Sequence, residues 1–317
     1  MASRYVFTVD RPPLSIDFEW IPGMSIQQRR RSCISLHNTL YNKGLRTPVL
    51  DISSASTKDL GISLSAFNLK TMNYETGEMN TVECVYQGSK KFTSGNRACH
   101  LYGNDSLFAK KFEAPVEWGK KNGFIYNGRE YAGCGASKFY NWIYIDALVN
   151  YNRDKAQQIL DECYCVFTDV QLKHISDPVC QAQACAQFVE FVYRYGSIDY
   201  VASKVLTFEG YLSMLAEHCG GLSPRALTDE DVTYINSLQR GTARLQLQEL
   251  DLAQPVQKPV KLSAPYTYGL TAHGYSRDFF DRLATVCDYT QEWDGASHGI
   301  LLSTVLRHRL SGGGVLL

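Results

Sequence analysis

No stretch of this chain approaches the ~18 continuous apolar residues of a membrane-spanning helix, so no membrane span is expected. Nor does the start read as an export signal. Met1-Ala2-Ser3-Arg4-Tyr5-Val6-Phe7 runs at once into Asp10 and Pro12-Pro13, not from a basic region into an apolar one. The chain has no CxxC pair, and its seven histidines form no HxxxH pair. Its ten cysteines, at 33, 84, 99, 134, 163, 165, 180, 185, 219 and 287, are scattered. They read as reduced thiols of a cytoplasmic protein, and no metal is expected on such spacing. Net charge is also absent, with 32 Lys/Arg against 32 Asp/Glu. A neutral chain lacks the field for strong non-specific binding to nucleic acid.

What is present is ordinary for a soluble protein: 317 residues, 44% hydrophobic and 20% charged, enough for one large or two average domains. The neutral total hides an asymmetry, because residues 1–125 carry 16 Lys/Arg against 11 Asp/Glu and the remainder is acidic by the same margin. The excess sits in Arg29-Arg30-Arg31, Lys90-Lys91, Lys110-Lys111 and Lys120-Lys121. Such clusters are commonly solvated faces, but several converging on one cleft suit a phosphate-bearing ligand or a nucleic-acid backbone.

The chemically richest stretch is Asn80 to Phe92. As a helix it places Glu83, Gln87 and Lys90 (i, i+4, i+7) on one face, with Val82, Val85 and Tyr86 on the neighbouring one. Two readings stay open on spacing alone. In one, Glu83 closes a capping box with Asn80 and Lys90 is a solvated charge; in the other, a carboxylate, an amide and an ammonium line one catalytic wall.

Around that stretch the pattern predicts a helix from Ile26 to Tyr41 with Ile34, Leu36 and Leu40 inward, and a strand at Val49-Leu50-Asp51-Ile52. Paired strands or a hairpin turning at Thr76-Gly77 then lead into the Glu83 helix. A short helix is expected from Asp105 to Lys111, and a hairpin at Asn127-Gly128, whose residues suit a type I′ turn. Phe139 to Leu148 is apolar almost all round and reads as a buried helix. The next helix is expected from Arg153 to about Cys165, delivering Thr168-Asp169. Another is expected from Asp177-Pro178 to Gly196, with Ala182, Cys185, Ala186, Val189, Val192 and Tyr193 inward. Further helices are expected from Tyr200 to His218, from Thr228 to Leu250, from Ser276 to Cys287 and from Ser297 to Leu310. Pro255, Pro259 and Pro265 mark an extended segment between them.

The order Ser65-Ala66-Phe67, turn at Gly77, then Thr81, Glu83, Gln87 and Lys90 resembles the NADAR family of N-glycosidases. That family carries Ser-Asn-Phe, a short hairpin and a Thr-x-Glu-x-x-x-Gln-x-x-Lys helix. Phe139-Tyr140-Asn141-Trp142, Thr168-Asp169 and Cys180-Gln181-Ala182 look like the branch that serves as antitoxins beside DarT-type DNA ADP-ribosyltransferase toxins. The resemblance implies a mainly α (α+β) fold, with a NADAR-like helical domain and short hairpins at 1–195. A helical C-terminal extension at 196–317 lies outside it. It further implies removal of ADP-ribose from guanine bases of DNA, without a cofactor, with a DarT-type toxin as partner. Glu83, Lys90 and Asp169 are then the catalytic candidates, and Ser65, Phe67, Asn68, Gln87, Tyr140 and Trp142 the substrate-binding ones. Ala66 departs from the family's asparagine, and Asn68 is the candidate to take over that amide's contact. The alternatives are an N-glycosidase acting on a small ribose phosphate, such as an aminopyrimidine of the riboflavin pathway, and a non-catalytic binder of ADP-ribose or of the toxin.

Overall fold

The computed structural model describes residues 1–23, 25–172, 179–216 and 224–238. The chain opens with two antiparallel strands, Ala2–Thr8 (β1) and Leu14–Phe18 (β2), and a helix, Ile26–Asn42 (α1). Ser25 and Gln28 form a reciprocal capping box that fixes where α1 starts. Ser32, Cys33, Leu36 and Leu40 are its buried residues; Ile34, expected inward, is 47% exposed because it lies on the opposite face. Val49–Asp51 (β3) follows as expected, then a short helix, Asp59–Ser63 (α2). The expected hairpin is Lys70–Asn73 (β4) with Glu78–Thr81 (β5), turning through Gly77 at φ +72°.

The Glu83 helix is shorter than its pattern suggested. It spans Val82–Gly88 (α3), and Lys90 begins a strand, Lys90–Phe92 (β6), so Lys90 is not on the helical face of Glu83 and Gln87. Ser106–Lys111 (α4) is capped by Asp105, whose Oδ1 accepts from the backbone of Leu107 and Phe108. Lys121–Tyr126 (β7) and Arg129–Ala132 (β8) form the second hairpin, with Asn127 and Gly128 at φ +50° and +72° as a type I′ turn requires. β6 pairs with β7 to make a three-stranded sheet.

Ala136–Asp146 (α5) is buried from Phe139 to Asp146 and runs into a π-helical turn, Ala147–Tyr151. Arg153–Asp161 (α6) stops earlier than expected because Cys163 takes φ +56°, which no helix accommodates; Val166–Thr168 (β9) then delivers Asp169 from a strand. The expected cap at Asp177-Pro178 lies outside the described residues. The helix itself is Gln181–Tyr195 (α7), and it ends at a left-handed Gly196. The inward stripe on α7 is as expected except that Tyr193 is half-buried. The single helix expected from Tyr200 to His218 is two, Ile198–Val205 (α8) and Phe208–Ala216 (α9). Arg225–Ala226 (β10) precedes helical residues 229–238. The helices and extended segment expected beyond 238, and the rest of the C-terminal extension, lie outside the described residues.

These elements make an α+β fold. Its main sheet has the order β10-β2-β1-β9-β3, antiparallel at β2/β1 and β1/β9, parallel at β9/β3 and β10/β2. β1 lies near the middle, and its last four residues are buried on both faces. α5 packs on α7 beneath an aromatic cluster in which Phe124 and Phe139 stack at 4.0 Å, each fully buried. α8 and α9 join this core: Trp142 Nε1 donates to the Val205 carbonyl at 2.7 Å, and Tyr211 donates to Gln187 Oε1 at 3.0 Å. Asn236 anchors the last described helix by donating to the Gly44 carbonyl and accepting from Arg46 N–H. Among the described residues no helix is long and apolar enough to cross a membrane.

Candidate active site

The start of α3 is tied down by the loop before β4. Val82 N–H donates to the Leu69 carbonyl at 2.9 Å and Glu83 N–H to the Ala66 carbonyl at 3.0 Å. Thr81 caps the helix by accepting from Cys84 N–H at 3.3 Å, so the orphan donors of the first turn are satisfied without the Glu83 carboxylate. Asn80, the expected capping partner, instead accepts from Gly103 N–H. The capping-box reading is thus corrected: Glu83 is released from helix-end duty and its side chain, only 3% exposed, meets a cavity.

That cavity measures about 490 Å³. Five of the nine sequence-predicted residues line it: Ser65, Phe67, Glu83, Tyr140 and Asp169. Gln87 and Lys90 stand behind Glu83 in a hydrogen-bonded series. Gln87 Nε2 donates to Glu83 Oε1 at 2.7 Å, and Lys90 Nζ donates to Gln87 Oε1. Burial pushes the Lys90 ammonium down to about 8, nearby Lys121 and Lys110 push the same way, and Glu83 opposes them. Asn68 and Trp142 are not brought to the cavity. Asn68 Nδ2 donates to the Ile62 carbonyl at 2.8 Å, and Trp142 packs among Tyr126, Tyr131, Phe139 and Phe208. The Asn68 amide is therefore spent on α2 and does not line the cavity.

Asp169 leaves β9 directly into the cavity wall. Its Oδ1 accepts from the Gln171 and Leu172 backbones at 3.0 and 3.2 Å, and its Oδ2 from Gln181 Nε2 at 3.1 Å. Behind it Asp51, the last residue of β3, grips both flanks: Oδ2 accepts from the Thr168 hydroxyl at 3.0 Å and from Val170 N–H at 2.8 Å. Burial raises both carboxyls above the usual range, and the charge of Asp169 raises Asp51 further; the donors around each act in the opposite sense. One fully buried carboxyl thus sets the position of the one that faces the cavity.

Several cavity residues carry no individual site role in the sequence, although Arg29 and Lys110 stand in its basic clusters and Gln181 in the Cys180-Gln181-Ala182 motif. Lys110 on α4 comes within 3.6 Å of Glu83 Oε1. Gln181, first residue of α7, donates to Asp169 and to the Ile52 carbonyl while its Oε1 accepts from Ala66 N–H at 2.7 Å, so one side chain joins three segments of the wall. Arg29, Ser54 and Gln171 line the cavity as well. A signal existed for Arg29, which precedes Cys33 and Leu36 by four and seven residues and so shares their inward face.

Among the described residues, Cys33, His37 and Asp51 present metal-ligand atoms within 4.8 Å of one another. Hydrogen bonds already join this group. The Thr168 hydroxyl hydrogen is directed to Asp51, so the 3.1 Å contact with His37 assigns the imidazole hydrogen to Nε2. Burial pushes the His37 imidazolium down to about 4, leaving it neutral near pH 7.

The site combines two carboxyls from separate elements, an ammonium at 3.6 Å from one of them, and aromatic walls from Phe67 and Tyr140. That is equipment for stabilising a cationic sugar and activating water. Residues 2–218 match the family model for the DarT1-associated NADAR antitoxin. No curated protein matches the chain.

Proposed function

The chain belongs to the NADAR family, as a DarT1-associated antitoxin, and we propose that it is an N-glycosidase that removes ADP-ribose from guanine bases of DNA, reversing the modification made by the associated toxin. The observation that carries this reading is the meeting of Glu83 and Asp169 in one cavity, from a helix and the end of a strand that the sequence leaves far apart.

Breaking the bond between the ribose C1 and the guanine nitrogen leaves the electron pair on the base and positive charge on the sugar. Glu83 lies close enough to Lys110 to be held in place at the cavity wall, and it takes the proton of the water that adds to C1. The leaving nitrogen gains a proton, so the products are free ADP-ribose and the unmodified base. Asp169, oriented by two backbone N–H groups and Gln181, addresses the ribose hydroxyls. Phe67 and Tyr140 supply flat apolar surface for a base. Lys90 divides on one test. Its flexible stem and lowered ammonium suit a nucleophile whose free amine displaces the base at C1, the base leaving with the electron pair of the broken C–N bond; opening of the C1–ring-oxygen bond then gives a Schiff base that water hydrolyses to ADP-ribose and the free amine, whereas its bond to Gln87 suits a cation acting on Glu83 through the amide. Borohydride trapping that gives an adduct at Lys90 assigns the first role; none assigns the second.

The reading is tested by incubating the protein with DNA carrying ADP-ribosylated guanosine and identifying the released product by mass. Free ADP-ribose together with restored DNA is the expected result. Modified DNA left intact at stoichiometric enzyme, with ADP-ribose still bound, would replace this reading with that of a binding protein.

A further inference from the structure

We propose that Arg29, Gln171 and Ser54 form a phosphate subsite in the cavity wall, which takes the diphosphate of ADP-ribose and so directs its ribose toward Asp169 and Glu83. This rests on the N-glycosidase reading and names the group that anchors its substrate.

Three consecutive arginines are the fourth to sixth residues of α1, yet only Arg29 lines the cavity; Arg30 and Arg31 are exposed. Among the described residues Arg29 pairs with no carboxylate. Its Nη1 donates to a neutral acceptor, Gln171 Oε1, at 3.1 Å. A guanidinium has five N–H donors in a rigid fork that matches phosphate oxygens, and here most of that fork is unspent. Its placement is also unfavourable on local grounds. Arg29 lies in the first turns of α1, near the positive end of the helix, where a cation is disfavoured unless an anion joins it. Half-buried without a counter-charge, it has the environment of a group completed by a ligand.

The rest of the wall is oriented to the same end. Gln171 Nε2 donates to Ser54 Oγ at 3.0 Å, which fixes the amide with its oxygen toward Arg29 and its nitrogen toward Ser54. Ser54 Oγ therefore acts as acceptor, and among the described residues no protein acceptor takes its own hydrogen, which is left for a ligand. The backbone N–H of Gln171 is held by Asp169, so one residue links the subsite to the carboxyl that addresses the ribose. Lys110, the other cation lining the cavity, is already placed against Glu83. Neutral sugar alone makes no use of Arg29; a sugar diphosphate does.

The test is calorimetric titration of the full chain with ADP-ribose, inorganic diphosphate and adenosine, using wild type, Arg29→Ala, Arg29→Lys and Ser54→Ala, with thermal melts to confirm folding. Losing a charge-assisted contact of this kind weakens binding about 10- to 100-fold. That loss is expected for ADP-ribose with Arg29→Ala. Arg29→Lys should recover part of it, Ser54→Ala should show a smaller loss, and adenosine should bind all variants alike. Equal losses for adenosine and ADP-ribose, unchanged ADP-ribose binding in Arg29→Ala, or no binding of either phosphate ligand by wild type would each overturn the subsite. The two readings fail separately. Wild type that binds ADP-ribose through Arg29 but releases none from DNA sinks only the N-glycosidase reading, while full turnover with Arg29→Ala at unchanged KM sinks only the subsite.

Discussion

Replacing Glu83 by glutamine removes a charge and a proton acceptor while leaving the shape of the site intact. The carboxylate accepts from Gln87 Nε2 at 2.7 Å, and a glutamine at 83 presents an amide oxygen to the same donor. Its other partner, Lys110, is 54% exposed at 3.6 Å, so losing that pair costs the fold little. α3 keeps its cap on Thr81 and its backbone bonds to Ala66 and Leu69. Stability should therefore change by less than about 1 kcal/mol, whereas loss of a positioned acid/base group removes roughly 10²- to 10⁴-fold in rate. That is about 3–5 kcal/mol of barrier. The assay is single-turnover release of ADP-ribose from modified DNA with enzyme in excess, so that binding and product release do not mask the chemical step. Glu83→Gln with a normal melt and unchanged release would refute the reasoning. It would mean that the carboxylate, although in the cavity, does not touch the reacting atoms.

Lys90→Met should slow single-turnover release by about 10- to 100-fold under either role of the amine, directly as a nucleophile or indirectly through Gln87 and Glu83; an unchanged rate would remove Lys90 from both. Trp142→Phe should lower stability by about 1–3 kcal/mol, because the buried Val205 carbonyl loses its donor, while KM stays at the wild-type value; a raised KM with an unchanged melt would make Trp142 a ligand platform after all. Burial raises the Asp146 carboxyl from 3.8 to about 7, with the Asn150 amide opposing. The folded state thus holds a proton that the unfolded chain releases, so this group's contribution is full below about pH 4 and is lost as pH rises through about 7. Asp146→Asn keeps an acceptor for Asn150 and should stabilise the protein at pH 8 relative to pH 4 by up to about 4 kcal/mol, at about 1.4 kcal/mol per pKa unit. Urea unfolding at the two pH values checks this, and identical pH dependence in variant and parent would contradict it.

Where local signals suffice, the sequence by itself determined the outcome. Asn127-Gly128 makes its hairpin because both residues tolerate positive φ, and Gly196 ends α7 for the same reason. The buried helix around Phe139 follows from an apolar surface all round. That same surface hides which residue faces the site: Tyr140 and Trp142 sit two apart on α5, and only the packing of α8 and α9 against one side sends Trp142 into the core and leaves Tyr140 at the cavity. Periodicity likewise carried the Glu83 helix on to Lys90. The chain instead turns after Gly88, because residues 90–92 find a strand partner in β7, a pairing that no local window contains. Arg29 differs from its two neighbours only in which way α1 turns it.

The order of motifs placed Glu83 and Asp169 as candidates, but only the tertiary structure brought them to one wall. It did so through the cap on Thr81, the loop carbonyls of Ala66 and Leu69, and the grip of Asp51 on both flanks of Asp169. Side-chain identity sets what chemistry is available. Long-range pairing decides which groups meet, because hydrogen bonds between distant segments are satisfied together only in the folded chain.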